Sequence, residues 1–252
     1  MSYDVVTNSA EKPSAIRRHT RGRFWLARYV VYLVVVILFV RFFVILPRND
    51  PVYNNKDVAH WFEQLLNSRT SEEREPGSEA FRTIGSAAVP YLVEVLRTKD
   101  SAIKHYLIAF LRQHRLPTAH LAERLHFAEE RYVEVGNCLS LIGEEGQAAV
   151  PSLVKACKDP NPVLRVTAVS GLGDVGRDVS SVLPALIGSL KDPDKSVRAE
   201  AADALGKLGH RAETAIPALT RLTEDADPAV RMFASKAVEK IKAELKPLKE
   251  IK

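Results

Sequence analysis

The sequence lacks the short motifs that mark common catalytic sites. It contains no Walker motif, no G-x-S-x-G and no H-E-x-x-H, so nothing indicates a nucleotide hydrolase, a serine hydrolase or a zinc protease. Three of its histidines, His114, His120 and His126, are six residues apart. That spacing puts them on different sides of a helix, and Pro117 interrupts it. We therefore predict no catalytic residue, no metal site and no cofactor.

Beyond its first 48 residues the chain also lacks an excess of basic residues. The formal net charge is +5, but residues 1–48 hold eight Lys or Arg against two acidic residues. The remainder carries 28 basic and 29 acidic residues. Binding to DNA or RNA depends on a basic surface that contacts phosphates. We therefore predict no nucleic-acid partner.

The chain has two cysteines, and both lie far from its one long apolar run, residues 24–46. A lipoprotein anchor needs a cysteine near such a run, and a cleaved signal peptide needs small residues after it, whereas RFFVILPRND is found there. From Tyr29 to Leu46 a helix would extend about 27 Å, close to the thickness of a bilayer core. A buried soluble helix would show a polar face. Residues 24–46 are therefore predicted to be a retained transmembrane helix.

The arginine-rich segment RRHTRGR, residues 17–23, precedes this run and predicts its orientation. Basic flanks stay in the cytoplasm, so the rest of the chain should lie outside it, in the periplasm if the cell is Gram-negative. We thus expect a single-pass protein of the cell inner membrane. The predicted organisation is a disordered basic tail (1–23), the transmembrane helix (24–46), a linker (47–56), a repeat domain (57–245) and a frayed tail (246–252).

A period of 33 residues dominates the second half of the chain. It indicates small supersecondary units that bury their apolar sides only by stacking on one another. Five columns of residues keep this register: Pro151, Pro184 and Pro217; Asp159, Asp192 and Asp225; Arg165, Arg198 and Arg231; Gly143, Gly176 and Gly209; Leu139, Leu172 and Leu205.

Each unit is predicted to contain two helices. Segments such as VLPALIGSLKD place proline in the opening turn of a helix and then apolar residues at helical spacing. Segments such as DKSVRAEAADALGKLG begin at a polar turn and close on glycine. The sequence therefore predicts an all-α fold built of helical hairpins.

These residues resemble the HEAT repeat, especially the short bacterial form seen in phycobilisome lyases. The shared pattern is P-x-L, an aspartate about six residues before an arginine, and A-x-x-x-L-G. The resemblance is strong over residues 136–240 and continues in degenerate copies to about residue 57. It implies a right-handed α-solenoid, here preceded by one transmembrane helix. It also implies a structural ladder between successive repeats, formed by Asp159, Arg165, Asp192, Arg198, Asp225 and Arg231.

Toward the N-terminus the pattern departs from the repeat. Gly85 precedes Pro90 by five residues where later units use eight, and Tyr132 stands in the arginine column, so the ladder should weaken there. We expect a loop over residues 67–78, which are polar and contain proline and glycine. Residues 101–114 are expected to form the helix that pairs with residues 79–100.

Two further motifs keep alternatives open. GLGDVG, residues 171–176, fits the dinucleotide pattern G-x-G-x-x-G, but ALGKLG in the next unit favours repeat packing as its explanation. Cys138 and Cys157 are either two buried, unpaired thiols or, in an oxidising compartment, a disulfide across one hairpin.

A partner is expected on the concave side, which the second helix of each hairpin lines in HEAT-like proteins. Its mixed charge suits a protein or peptide, although these positions also fit an ordinary solvated helix face. The sequence favours a scaffold without catalysis over a HEAT-like lyase or other chromophore-binding enzyme. HEAT-type hydroxylases bind iron through His-Glu pairs, and no such dipeptide occurs. The predicted surface comprises Glu134, Asn137, Thr167, Ser170, Asp174, Glu200, Asp203, Lys207, Phe233, Lys236 and Lys240.

Overall fold

The computed structural model describes residues 50–100, 127–176 and 179–250, with side chains up to residue 246. The chain divides into two compact units, Met1–Asn49 and Asp50–Lys252, and only the second is described. The predicted tail (1–23) and transmembrane helix (24–46) lie outside the described residues, as do residues 101–114. Within the described ranges, no helix has the length and apolar character needed to span a bilayer.

The described part is almost entirely helical, as predicted. Two short strands, β1 (Val52–Tyr53) and β2 (Lys56–Asp57), come first. Ten α-helices follow: α1 (Val58–Asn67), α2 (Ser71–Ile84), α3 (Val89–Arg97), α4 (Ala128–Ile142), α5 (Val150–Ala156), α6 (Pro162–Val175), α7 (Val179–Ser189), α8 (Lys195–Leu208), α9 (Ile216–Leu222) and α10 (Pro228–Glu250).

The predicted linker contains a small hairpin at its C-terminal end. Asn54 and Asn55 have φ of 50° and 60°, the left-handed conformation that a two-residue hairpin turn requires and asparagine tolerates. Asp57 then accepts a hydrogen bond from the backbone N–H of His60 and so caps α1. The indole of Trp61 donates to the Tyr53 carbonyl and joins the hairpin to this helix.

The loop predicted over residues 67–78 is wrong, because α2 begins at Ser71. Thr70 and Glu73 form a capping box that satisfies the first N–H groups of the helix. Pro76 lies within the helix, and Gly77 is buried against α1. A Cβ atom on Gly77 would lie 2.8 Å from Cγ of Leu65, so glycine permits this close contact.

In the ranges described, the ten helices pack in five pairs, α1–α2, α3–α4, α5–α6, α7–α8 and α9–α10, which we call hairpins, and the second helices of successive pairs pack on one another. This is an α-solenoid architecture. The turns of the last three hairpins have five residues each. Helices α3 and α4 also contact each other, although residues 98–127 lie between them.

The glycine column and Gly85 mark where one hairpin passes to the next. Gly85, Gly143 and Gly209 have φ of 57°, 60° and 59°, a conformation that costs glycine little, whereas Gly176 has φ of −73°. Each of the first three begins a short 3-10 helix. The 3-10 helix that begins at Gly85 has four residues, and those that begin at Gly143 and Gly209 have seven. This difference of three residues matches the shorter spacing between Gly85 and Pro90 in the sequence.

Counting back from these glycines aligns α2 with the later second helices. Phe81 lies four residues before Gly85, as the leucine column lies four residues before its glycines, and all four side chains are fully buried. Arg74 lies eleven residues before Gly85, the spacing of the arginine column. The repeat therefore extends to the first hairpin with different residue types.

Candidate interaction surface

A ladder of charged hydrogen bonds joins the last three hairpins. Arg165 donates through Nε and Nη2 to both carboxylate oxygens of Asp192 at 2.8 Å. Arg198 binds Asp225 in the same way at 2.9 Å. The Nη1 atom of each arginine donates to two carbonyls of its own turn. Such bidentate pairs are the strongest class of protein hydrogen bond.

These contacts shift the pKa values of the paired groups in the stabilising direction. The hydrogen bond from Arg198, followed by that from the Asp227 N–H, holds the pKa of Asp225 below its ordinary value. The carboxylate partners likewise raise the pKa values of Arg165 and Arg198. The ladder therefore connects charged groups at neutral pH.

The ladder changes at Tyr132, where the repeat has no arginine. The Tyr132 hydroxyl donates to the Thr98 carbonyl at 2.6 Å, so it retains the contact with its own turn. It does not bind Asp159. Instead, Lys99 donates to Asp159 at 3.2 Å across the junction. Burial, assisted by the charge of Asp159, raises the pKa of Tyr132.

The first hairpin has a rung of its own. Arg74 donates to the Leu65 carbonyl of its own turn and to Glu134 of the next hairpin at 2.7 Å. Glu134 is 5% exposed and also accepts from Asn137. The prediction that Glu134 faces outward is therefore wrong, because its position on the helix points at the neighbouring helix.

The same correction applies to two other predicted surface residues. Thr167 is 5% exposed and lies against Gly136, where an added Cβ would be 3.4 Å from its methyl group. Phe233 is partly buried against the core rather than exposed. Glu200 is half-buried. The column of Glu134, Thr167, Glu200 and Phe233 thus faces the preceding hairpin.

The other predicted positions do reach the surface, but several bind one another. Ser140 donates to Asp174 at 2.7 Å, and Lys207 donates to the other oxygen of Asp174 at 2.9 Å. Asp203 lies 3.7 Å from Lys207. Burial alone would lower the pKa of Lys207, but the bond to Asp174 raises it overall. Ser170 is half-buried, whereas Asn137, Lys236 and Lys240 are exposed.

An apolar column that the sequence reasoning missed runs along this surface. Val133, Val166, Ala199 and Met232 are 33 residues apart, one residue before the column that was predicted to face outward. One residue is a 100° rotation about the helix, which turns a buried position into an exposed one. Val133 is 52% exposed and Met232 is 57% exposed, while the middle two are half-buried. Aligning exposed polar neighbours on a helical wheel would have found the column.

The described residues bring together no catalytic group with a proton acceptor suited to activate it. Ser140 contacts Asp174, but the raised pKa of Lys207 keeps that amine protonated and unable to act as a base. One surface hollow is lined by His60, Glu63 and Gln64, and a second by Asp100, Tyr132 and Asp159. In the ranges described, no His, Cys, Asp and Glu side chains cluster as metal ligands would.

Both cysteines are unpaired thiols in the structure. Burial raises the pKa of Cys138 well above its ordinary value, and the charge of Glu134 adds to this shift. Burial likewise raises the pKa of Cys157 to about 11. Thiols of this kind are weak nucleophiles at neutral pH. The glycines of GLGDVG serve packing, since a Cβ on Gly173 would lie 2.8 Å from that of Ala204.

Comparison with known proteins agrees with the repeat architecture. A sequence model of HEAT repeats matches residues 150–232 and 183–251. No curated protein matches the sequence. Among solved structures, the chain is similar to the complex of CpcE and CpcF of phycocyanin lyase from Nostoc sp. PCC7120, at 20% identity and a TM-score of 0.49, over 79% of this chain and 69% of that one.

Designed proteins also share similarity. A designed armadillo repeat protein in complex with the peptide (KR)4 matches at 20% identity and a TM-score of 0.39, over 74% of this chain and 100% of that one. An engineered protein matches at 20% identity and a TM-score of 0.40, over 75% and 99%. The five hairpins, their charged ladder and the match of residues 150–251 to HEAT repeats support a HEAT-like repeat protein.

Proposed function

We propose that this chain is a membrane-tethered scaffold that binds a protein or peptide on the exposed face of its second helices. The observation that supports it best is the apolar column Val133, Val166, Ala199 and Met232, with polar side chains beside it. Apolar side chains that recur once per repeat give a partner regularly spaced contacts along the array.

The polar residues beside this column favour a partner of defined chemistry. Lys207 binds Asp174 and lies 3.7 Å from Asp203, so these three residues leave the middle of the surface with a small net negative charge. Lys236 and Lys240 are exposed at the C-terminal end, where Lys240 is also close enough to help lower the pKa of Glu244. A segment with apolar side chains and an acidic end would therefore complement the surface.

Substitution of the two most exposed apolar residues tests the surface. The double variant V133D/M232D, in the full-length chain, should release a partner that co-purifies with the wild type in detergent, because both changes place charge in the contact. The control is V52D, which alters a valine in β1 that is 64% exposed, somewhat more than Val133 or Met232. Equal recovery of the partner with all three proteins would contradict the proposal.

The second part of the proposal, the membrane tether, concerns residues 24–46 and is tested separately. We propose that these residues span the inner membrane, with the N-terminus in the cytoplasm and the repeats outside it. The support is the apolar run itself and the arginines that precede it. Alkaline phosphatase fused after residue 252 should be active and green fluorescent protein should be dark. The reverse result, or release of the chain by carbonate, would overturn the tether without affecting the binding surface.

The alternative of a lyase-type, chromophore-binding protein makes a different prediction. Such a protein should take up a bilin from solution and gain visible absorbance, and V133D/M232D should abolish the gain. A chain that captures protein and gains no absorbance supports the scaffold. Absorbance without a captured protein would favour the alternative.

A further inference from the structure

Arg231 is the last arginine of the ladder in the described chain, and two of its donors are unused. Arg231 makes the same two contacts with its own turn as the arginines before it, since Nη1 donates to the carbonyls of Asp225 at 2.7 Å and Ala226 at 3.0 Å. Those bonds fix the guanidinium in the orientation seen in Arg165 and Arg198. Its Nε and Nη2 atoms, however, have no acceptor among the described residues.

The internal rungs show what this pair of donors binds. In both complete rungs the acceptor is an aspartate in the turn before a helix, and both of its oxygens are used. That aspartate also accepts from the backbone N–H two residues later, as Asp192 does from Asp194 and Asp225 from Asp227. The geometry therefore selects a planar carboxylate held in a tight turn.

The surface around Arg231 is polar where the internal junctions are apolar. Ser235 stands in the column of Val169 and Ala202, which are fully buried. Glu239 stands in the column of Gly173 and Gly206. At the internal junction a Cβ on Gly206 would lie only 3.3 Å from that of Ala237, so a glutamate there prevents equally close packing. A partner cannot stack here as a further repeat at the internal spacing.

We infer that Arg231 is a binding site for a carboxylate presented by an aspartate turn of a partner protein. The site lies at the C-terminal end of the described array and adjoins the apolar column proposed above at Met232. Met232, which is 57% exposed and adjacent in sequence, offers an apolar contact at the border of the site. Because the donors are oriented in advance, the partner gains the bidentate contact without ordering the arginine.

Side-chain NMR of the full-length chain in a non-ionic detergent tests this site. The probe is the acetylated and amidated peptide LKDPDKSV, which copies the natural acceptor turn of Arg165. In ¹⁵N-arginine-labelled protein, the Nε–H signal that disappears in R231K identifies Arg231. We expect the peptide to shift that signal saturably, with a dissociation constant on the order of millimolar. The signals of Arg165 and Arg198 should not move, because their acceptors are already bound.

Two controls make the result decisive. The peptide LKNPDKSV replaces the accepting aspartate with asparagine and should bind about tenfold more weakly to the wild type, a comparison that needs no variant protein. Peptide binding should weaken similarly in R231K, because lysine cannot form the fork; in that variant binding is followed through the signals of the peptide, since the Arg231 signal is absent. Binding should be unchanged in K242Q, which removes an exposed charge elsewhere on α10. No shift, an equal shift with both peptides, or an equal loss in K242Q would overturn the inference. If the Arg231 signal shifted with protein concentration in the absence of peptide, the occupant of the site would be a second copy of this chain, and the inference of a different partner protein would be wrong.

Discussion

The last three hairpins, residues 150–250, repeat one set of contacts, whereas the first two, residues 58–142, make corresponding contacts with other residue types. Arg165 and Arg198 each bind a turn aspartate of the next hairpin. In the first hairpin Arg74 binds Glu134, which lies on a helix, and at the next junction Lys99 binds Asp159. Arg74 stands in the arginine column, whereas Lys99 lies just after α3, and the acceptors also differ. Each junction between described hairpins thus contains a charged contact, and the residues that form it vary.

The largest difference should come from the core residue that replaces leucine in the first hairpin. Phe81→Ala should destabilise the protein by about 4 kcal/mol and Leu172→Ala by about 3 kcal/mol, because the larger side chain leaves the larger cavity. Both residues are fully buried. Chemical denaturation monitored by circular dichroism measures the two values. A negligible effect of Phe81→Ala would show that the first hairpin is not part of the cooperative array.

The destabilisation caused by removing each arginine should increase with the burial of the carboxylate that loses its partner. Arg74→Ala leaves Glu134 buried without its cation and should cost about 3 kcal/mol, and Arg198→Ala should cost about 2 kcal/mol because Asp225 is more accessible. The double-mutant cycles with Glu134→Gln and Asp225→Asn isolate each pair. If Arg198→Ala proved the more damaging change, the regular rung would be the stronger one.

Glycine provides a sharper test of close packing in the first hairpin. Gly77→Ala places a Cβ 2.8 Å from Leu65 and should destabilise the protein by about 2 kcal/mol. The control is Gly188→Ala, in α7, where no atom lies within 4 Å of the added Cβ. It should stabilise by about 0.5 kcal/mol through helix propensity. Thermal unfolding of both variants should therefore move in opposite directions.

A smaller change at Tyr132 measures the altered rung. Tyr132→Phe removes the hydrogen bond to Thr98 and should cost about 1 kcal/mol, the net value of one such bond. Denaturant titration with an unchanged slope would confirm that only stability changes. A cost near zero would indicate that the hydrogen bond between Tyr132 and Thr98 adds no net stability to the second hairpin.

Acid should weaken the regular rungs in a defined range of pH. The pKa of Asp225 lies below its ordinary 3.8, so its contribution to stability is complete above that pH and is lost as pH falls through the lowered value. The variant Asp225→Asn should lose less stability on acidification than the wild type. Parallel pH profiles for the two proteins would contradict the role assigned to this carboxylate.

Much of the described fold could be predicted because the 33-residue period is visible in the sequence. The proline, leucine and glycine columns place helices, turns and junctions of the last three hairpins, since each column has one packing role. The loop over residues 67–78 was predicted wrongly because Pro76 and Gly77 suggested a break. The structural role of these residues depends on contacts that the sequence does not show: Gly77 lets α2 pack tightly against Leu65 of α1, and Thr70 and Glu73 cap the helix. An alignment anchored on Gly85 would have indicated the helix.

The surface was predicted less well, because an error of one residue rotates a helix by 100°. Asn137, Lys236 and Lys240 are exposed as expected, whereas Glu134 and Thr167 are buried between helices. The 33-residue mapping of the second helices predicted that Glu134 faces solvent, and only the position of Arg74 reveals why a buried glutamate is stable there. The predicted right-handed twist and the membrane segment stay predictions.

Arg165 and Arg198 each bind the turn aspartate of the following hairpin, and each of the last three hairpins contains one such arginine and one such aspartate. Duplication of an internal unit would therefore insert a donor together with an acceptor, and loss of a unit would remove both. The array can change length by whole units while its charges stay matched. An insertion of half a unit would strand a guanidinium or a carboxylate between helices, so gene rearrangements that respect the 33-residue period should be the ones that fold.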